Sequence, residues 1–375
     1  MKKVLLVTTV SGFVPQFQMH NVNILQKMGY EVHYAANYNI PSYGNDNNRL
    51  DGTGIVRHQI DFARSPYTKQ TIIAYKQLKQ LMKKNRFDLI HCHTPMGGAL
   101  ARLAAKNTNT KPVIYSVHGF HFYKGAPIQN FLIYQTMEKY FAHYTDVLIT
   151  TNHEDYQAAQ KFKMKENGKV YFVPGVGIEV EKFKNLTLDK RKLRKNLGIS
   201  EETIILLSVG EVIKRKNHET VIKAMEKLKR TDIVYLICGQ GELEEKLKNL
   251  TDELGLQNKV KFLGYQEATP YYHMANIFLH PSYREGLSRA LMEAMAVGLP
   301  IICSKIRGNV DLVDNKGGRL IEVEEIDEYA KAILELSNNP KLRNNMSTYN
   351  LEKINQFDIS NIDLMMEKIY KKSFD

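Results

Sequence analysis

Short apolar runs alternate with stretches of helical period along the whole chain, in two successive series. The first contains "KVLLVTT" (residues 3–9), "EVHYAAN", "RFDLIHCHTP", "KPVIYSVHGF" and "HYTDVLITTN". After "YFVPGVGIEVEKF" a second follows, with "TIILLSVG", "DIVYLICGQG", "KVKFLGY", "ANIFLHPS" and "LPIICS" set between helices such as "HETVIKAMEKLKR" and "GELEEKLKNL". Strand, helix, strand in strict alternation specifies a parallel sheet with crossover helices. With 375 residues the chain exceeds one ordinary core, so two α/β domains are expected. The linker is expected within residues 172–190, where Pro174, Gly175 and Gly177 interrupt the periodicity. Ligands of such sheets bind beyond the carboxyl ends of the strands, and with two sheets the natural site is the cleft between them.

Composition narrows the function classes. Hydrophobic residues at 43% and charged residues at 25% describe a globular chain and exclude a disordered one. No apolar run reaches the roughly 20 residues that span a bilayer. "VLLVTTV" after Lys2 and Lys3 is short and has no cleavage site behind it; a cytoplasmic protein is expected. Cys92, Cys238 and Cys303 lie far apart in strand-like runs, as buried reduced thiols would.

The net charge of +12 is uneven. Residues 1–180 hold 21 Lys and Arg against 11 Asp and Glu, and the remainder 31 against 29. A basic first half attracts membrane surfaces or phosphorylated ligands. Nucleic acid is not the expected partner, because no recognition helix, zinc pattern or aromatic–basic sheet motif accompanies the charge. A nicotinamide dehydrogenase would need G-x-G-x-x-G after the first strand, and the sequence has none there.

The stretch "PSYREGLSRALMEAMAVGLP", residues 281–300, carries Glu285 and Glu293. On one continuous helix their offset turns about 800°, roughly 80° off alignment, so a shared dyad is not expected. Pro281, Ser282 and Gly286 place Glu285 in a loop and Glu293 in a helix begun near Ser288. The carboxylates then address different parts of one long ligand. Glu293 suits the vicinal hydroxyls of a ribose, and Glu285 a sugar ring or a developing positive charge. The backbone N–H groups of Leu287, Ser288 and Arg289 at the helix start favour a diphosphate between them. Two solvated glutamates on a surface helix would show the same spacing.

"EGLSRALMEAMAVGLPII", preceded in order by "VGEVIKRKNHETVIKAM" and "FLGY", resembles the C-terminal half of the retaining glycosyltransferases of family four. In order and spacing the resemblance covers nearly the whole chain, and it extends to bacterial exopolysaccharide and capsule transferases. It implies the GT-B fold, two Rossmann-like doubly wound parallel-sheet domains facing a central cleft. An acceptor-binding domain would span residues 1–175 and a nucleotide-sugar-binding domain 185–355, with a terminal helix over 356–375 crossing back to the first. The resemblance assigns donor-sugar hydroxyls to Glu285, next to Gly286, the nucleotide ribose to Glu293, and the diphosphate to the amides of Leu287, Ser288 and Arg289. Lys216 in "VIKRKN" matches the family lysine that neutralises the leaving diphosphate, with Lys214 and Arg215 as neighbours that blur the register. The family usually has arginine directly after the glycine of "VG"; this chain has Glu211, which puts a two-cation clamp in doubt. Gly264 and Tyr265 fall where family backbone groups hold the base, with uracil expected. Gly239 and Gly241 of "GQGE" form a strand-end turn within reach of the nucleotide.

In the first half, "SVHGFHFYKG" ends a strand with His118 and His121, and the resemblance assigns His118 to the catalytic cleft, bonded to the donor sugar. His121 is either on the acceptor side or packed in its aromatic loop. His91 and His93 of "HCHTP" sit at a strand end, where alternation is read as sending one to each face, with His93 as the acceptor-side candidate. Gly12 of "TVSGFVPQ" follows the first strand, where the family has a small-residue loop near the donor phosphate. No metal and no cofactor is expected; the nucleotide sugar, a UDP-sugar, is the co-substrate. The acceptor is expected to be a saccharide or a polyprenyl-diphosphate-linked saccharide. Residues 69–86 and 128–144 read as helices, basic and aromatic respectively. Either they rest on an anionic membrane at its inner face, or they are ordinary sheet-covering helices. A catalytically lapsed sugar-nucleotide scaffold is the rival reading, because of Glu211.

Overall fold

The computed structural model describes residues 1–40, 42, 47–63, 65, 67–184, 186 and 188–374. The chain divides into two compact units, one of Met1–Val176 with the residues from Ser360 onward, the other Gly177–Ile359. The second unit begins before the expected residue 185, itself outside the described residues. Ile178, Val180 and Phe183 are buried in its core, so this part of the expected linker is packed rather than free.

The first unit is built on strands β1 (Lys3–Val10), β2 (Glu31–Asn37), β3 (Val56–Gln59), β4 (Leu89–His93), β5 (Val113–Val117), β6 (Val147–Thr150) and β7 (Lys169–Phe172). They lie in the order β3-β2-β1-β4-β5-β6-β7, every pairing parallel. Leu5 and Val7 enter the core beneath helices Lys69–Asn85 and Pro95–Thr108, while Val4 and Leu6 enter the core on the other face. Burial on both faces is why β1 reads as a continuous apolar run instead of an alternating one. The last helix, Ile359–Phe374, seals that other face with Ile362, Met366, Ile369 and Tyr370.

The second unit carries β8 (Ile204–Val209), β9 (Ile233–Cys238), β10 (Val260–Gly264), β11 (Ile277–His280), β12 (Ile301–Ser304) and β13 (Gly318–Ile321), ordered β10-β9-β8-β11-β12-β13 and again parallel. Ile205 and Leu207 pack on one side and Leu206 on the other. Three strands, β3, β7 and β13, were not marked by any apolar run. All three lie at sheet edges, where one flank meets solvent and the sequence is shorter and more polar, as in "VRHQ" of β3. In both sheets the order reverses beside the first strand of the unit, and that reversal opens a crevice at the strand ends.

Candidate active site

In the second unit the residues after β8, β9, β10 and β11 meet at the carboxyl end of the sheet. Gly239 donates its N–H to the carbonyl of Gly264 at 2.8 Å, and Gly210 donates to Cys238 at 2.9 Å. A Cβ on Gly239 would stand 1.8 Å from the Gly210 carbonyl oxygen, and one on Gly241 2.4 Å from that of Val212. Both glycines therefore let backbone layers touch, a structural demand that explains "GQG" by itself. Gly264 has φ +68 and open space about it, and Tyr265 beside it is 82% exposed.

Gly210 also makes room for Lys216, whose Cε would be 3.2 Å from a Cβ there. Lys216 ends a short 3-10 turn, Lys214–Lys216. Its ammonium stands 2.8 Å from Oε1 of Glu285. The same oxygen accepts from Arg215 at 3.1 Å and faces Nε2 of His280 at 3.2 Å. Arg215 also reaches the Glu211 carboxylate at 3.4 Å. Glu211, which stands directly after Gly210, is thus paired with the guanidinium of Arg215 four residues later. Burial pushes the Glu285 carboxyl up, but Lys216, the His280 hydrogen bond and Arg215 outweigh it and hold it well below the usual carboxylate range. Glu285 stays ionised, and its Oε2 has no partner among the described residues.

The loop that presents Glu285 is tied on both sides. Tyr283 donates its N–H to the carbonyl of Arg215 at 2.9 Å, and Asn217 donates to that of Pro281 at 3.1 Å. Arg307, from the loop after β12, donates Nε–H to the Glu285 carbonyl at 3.1 Å. Sequence reasoning missed His280, Arg307 and the role of Arg215. His280 ends β11 and Arg307 follows β12 by three residues, positions that could have signalled them; the reach of Arg215 to Glu285 had no such local signal.

Helix Arg289–Ala296 starts where expected, with the Ser288 hydroxyl capping the N–H of Leu291 at 3.4 Å. The N–H groups of Leu287 and Ser288 have no acceptor among the described residues, and they sit at the positive end of that helix. Glu293 is bound by Tyr272 through Oε2 at 3.0 Å and by Arg289 through Oε1 at 3.0 Å. Burial raises its pKa despite these partners. Glu285 and Glu293 share no hydrogen-bond partner, in keeping with separate tasks.

In the first unit, His93 Nδ1 and His118 Nε2 are 3.2 Å apart, with Phe13 packed against both rings. His91 and His93 do not face opposite ways: their ring centroids are 4.1 Å apart. Residues two apart on a strand share a face, which corrects the expectation of one on each side. His91 is consumed structurally, by Tyr370 at 2.7 Å and Ser116 at 2.8 Å. His93 is fully buried and its Nε2 has no partner. His121 packs on Tyr134, centroids 4.8 Å apart. Gly12 is buried, with φ −72, so its backbone conformation is open to any residue.

Burial, with neighbouring imidazoles adding, lowers His91 to about 3 and His118 to about 4, and holds His93 well below its ordinary value. His20, paired with Asp363 at 2.9 Å, neighbours this cluster. The folded unit thus keeps neutral imidazoles that the unfolded chain protonates below pH 6.5. Stability is full above that pH and falls as pH drops towards 4, by ~1.4 kcal/mol per unit and per group. The chain has no tryptophan, so circular dichroism is the readout. The urea midpoint of the first unit is expected to fall between pH 7 and pH 5, and an unchanged midpoint refutes this assignment.

Cys92, Cys238 and Cys303 are free and buried. Among the described residues no group of three or more His, Cys, Asp or Glu is placed to hold a metal ion. No helix among them is long and apolar enough to cross a membrane.

The family described as "Glycosyl transferase 4-like" matches residues 3–152, and "Glycosyl transferases group 1" matches residues 189–353. The putative glycosyltransferase EpsD of Bacillus subtilis is 33% identical over 349 residues, covering 91% of this chain and 89% of the relative. UDP-Gal:alpha-D-GlcNAc-diphosphoundecaprenol alpha-1,3-galactosyltransferase of Escherichia coli is 33% identical over 291 residues, 75% of this chain and 74% of the relative. Among solved structures, HepE of Anabaena in complex with UDP and glucose superposes with a TM-score of 0.81 at 17% identity, covering 99% of this chain and 100% of that one. Sucrose-phosphate synthase of Thermosynechococcus elongatus gives 0.80 at 18% identity, covering 100% and 99%. The chain belongs to the glycosyltransferases, among the family-four-like enzymes of GT-B fold.

Proposed function

We propose that this glycosyltransferase is retaining and metal-independent, and that it moves a sugar from a UDP-sugar to a hydroxyl of a glycan or polyprenyl-diphosphate-linked saccharide. Cell-surface polysaccharide synthesis at the inner face of the membrane is the setting. The observation that carries the reading is the convergence of Lys216 and Arg215 on Glu285, at the start of a capped helix that bears Glu293. The Escherichia coli relative, whose name specifies a UDP-linked donor and a diphosphoundecaprenol-linked acceptor, supports the choice of both substrates.

Each residue then has a task. Lys216 and Arg215 neutralise charge gathering on the departing diphosphate, work that a divalent cation does elsewhere. The N–H groups at Leu287, Ser288 and Arg289 cradle the same phosphates. Glu293 holds the ribose: a carboxylate offers about four lone-pair positions, and Tyr272 and Arg289 take two. Oε2 of Glu285 accepts from hydroxyls of the transferred sugar. Gly239, Gly241, Gly264, Tyr265 and Gly286 shape the donor loops, as Gly12 does in the first unit. His118, held neutral, is assigned to hydrogen bonding with the transferred sugar, with His93 behind it and His121 towards the acceptor. The bond from the anomeric carbon to the β-phosphate oxygen breaks while the acceptor oxygen bonds to that carbon from the same face. The acceptor proton passes to the departing phosphate, so configuration is retained.

The test is calorimetry with UDP, GDP and ADP in the presence of a chelator. UDP is expected to bind selectively, and Glu293→Ala to weaken it by about 10- to 100-fold through loss of hydrogen bonds to a charged group. If GDP binds best, the base assignment changes. Failure of the folded protein to bind any nucleotide removes the donor site. Donor hydrolysis without acceptor separates an active enzyme from a lapsed scaffold.

A further inference from the structure

A chain of hydrogen bonds runs through the core of the second unit behind Lys216. Ser208 on β8 donates its hydroxyl to the carbonyl of Leu279 on β11 at 2.6 Å, and Tyr235 on β9 donates to the Ser208 oxygen at 2.7 Å. His218, the first residue of helix His218–Leu228, closes the chain with Nδ1 at 3.1 Å from the Tyr235 oxygen. None of the three side-chain-bearing residues is more than 3% exposed. Polar groups taken this far from water are costly unless hydrogen-bonded, so the chain holds its members to one arrangement.

The chain joins three strands to the turn that carries Lys216. Ser208 stands two residues before Gly210, which makes room for the Lys216 side chain. Leu279 directly precedes His280, which faces the same Glu285 oxygen as Lys216. His218 follows Lys216 by two residues. Between them Asn217, with φ +54, turns the backbone into the helix and donates to the carbonyl of Pro281. The turn Lys214–Lys216 is thus anchored on its C-terminal side by two successive buried side chains, Asn217 onto the loop after β11 and His218 onto β9. Burial lowers His218 to about 3, and the nearby Lys216 ammonium adds to that. The ring is therefore neutral at pH 7 and anchors the turn without repelling the lysine.

We propose that His218 is a positioning residue for the transfer step: its hydrogen bond to Tyr235 fixes the turn that holds the Lys216 ammonium in place for the departing diphosphate. The inference rests on the transferase reading, which it deepens by naming what fixes the lysine. A lysine is a point charge on a flexible four-carbon stem. The fixed backbone beneath it supplies the preorganisation on which electrostatic stabilisation depends. Leucine at position 218 would fill the same core and leave that backbone tied by Asn217 alone.

Turnover is read on the full chain as UDP release from UDP-glucose, UDP-galactose and their N-acetylhexosamine counterparts, with the donor that the wild type uses fastest. His218→Leu is expected to lower kcat on the order of tenfold, a smaller displacement than the ~1 Å that costs 10²-fold, with donor KM and UDP affinity little changed. His218→Asn returns a hydrogen-bonding group near the Nδ1 position and is expected to recover most of the loss. In the Lys216→Ala background His218→Leu is expected to cost nothing further, because residues that act through one another are not additive. Ile333→Val, a small truncation in the core beneath helix Ile326–Asn338, controls for lost stability alone and should keep its kcat. Wild-type kcat in His218→Leu, an equal loss in His218→Asn, or an equal further loss in the Lys216→Ala background overturns the proposal. A wild type that binds UDP but releases it from no donor removes the transferase reading itself. One that turns over, with both His218 variants matching it, removes only the role of His218.

Discussion

Lys216→Ala is expected to lower turnover by about 10²–10³-fold, with a much smaller loss of UDP affinity. A preorganised donor aimed at charge that develops in the transition state contributes on that scale, and the Lys216 side chain is only 12% exposed, with its ammonium already 2.8 Å from Glu285. Removing it does not strand the Glu285 carboxylate. Arg215 at 3.1 Å and His280 at 3.2 Å remain on the same oxygen, so the variant should fold. Arg215→Ala is expected to cost about tenfold, because its guanidinium is more exposed and more screened. The double substitution differs in kind: Glu285 would be left buried with His280 alone, and unpairing a buried charge destabilises by ~3–5 kcal/mol. Single-turnover kinetics at saturating donor reads the first effect and thermal unfolding the second. Wild-type turnover in Lys216→Ala would sink the leaving-group role for this lysine.

That pair of cations shows where the sequence stops being legible. The loss of arginine at Glu211 could be seen in one dimension and read as damage to the site. The contact of Arg215 with Glu285 could not, because it is made only once the 3-10 turn brings Lys214–Lys216 over the β11 loop. Contacts of this kind are properties of a folded surface. The double series of apolar runs, by contrast, was enough to expect two parallel sheets, since burial on both faces demands just such runs. The edge strands β3, β7 and β13 escaped for the converse reason, whereas β10, also at an edge, kept its apolar run. The start of helix Arg289–Ala296 was legible because Ser288 caps it with a chemistry few residue types share. The histidines misled through geometry: a strand period of two puts His91 and His93 together, and the last helix then takes one of them through Tyr370. Nothing local in "HCHTP" announces a partner 279 residues away.

Alanine at Gly308 is expected to reduce kcat/KM by about 10²-fold although Gly308 itself bears no functional group. Its φ is +80, and an added Cβ would stand 2.2 Å from the carbonyl oxygen of Gly286 and 3.3 Å from the Cα of Leu287. Backbone on both sides leaves no flexible side chain to give way, so the two loops must part by about 1 Å to reach ordinary contact. Arg307, one residue earlier, holds the Glu285 carbonyl, and the displacement therefore passes straight to the Glu285 carboxylate and the backbone of Leu287. A misplacement of about 1 Å costs on the order of 10² in rate. Positive φ alone also destabilises alanine, by roughly 1–2 kcal/mol, so a control must separate strain from displacement. Gly255 supplies it: φ is +65 and nothing lies within 4 Å of its added Cβ. Gly255→Ala should lose stability through strain alone and keep its kcat/KM, while Gly308→Ala should lose activity beyond its loss of stability. Equal activity in the two variants would mean that the loop after β12 does not position Glu285.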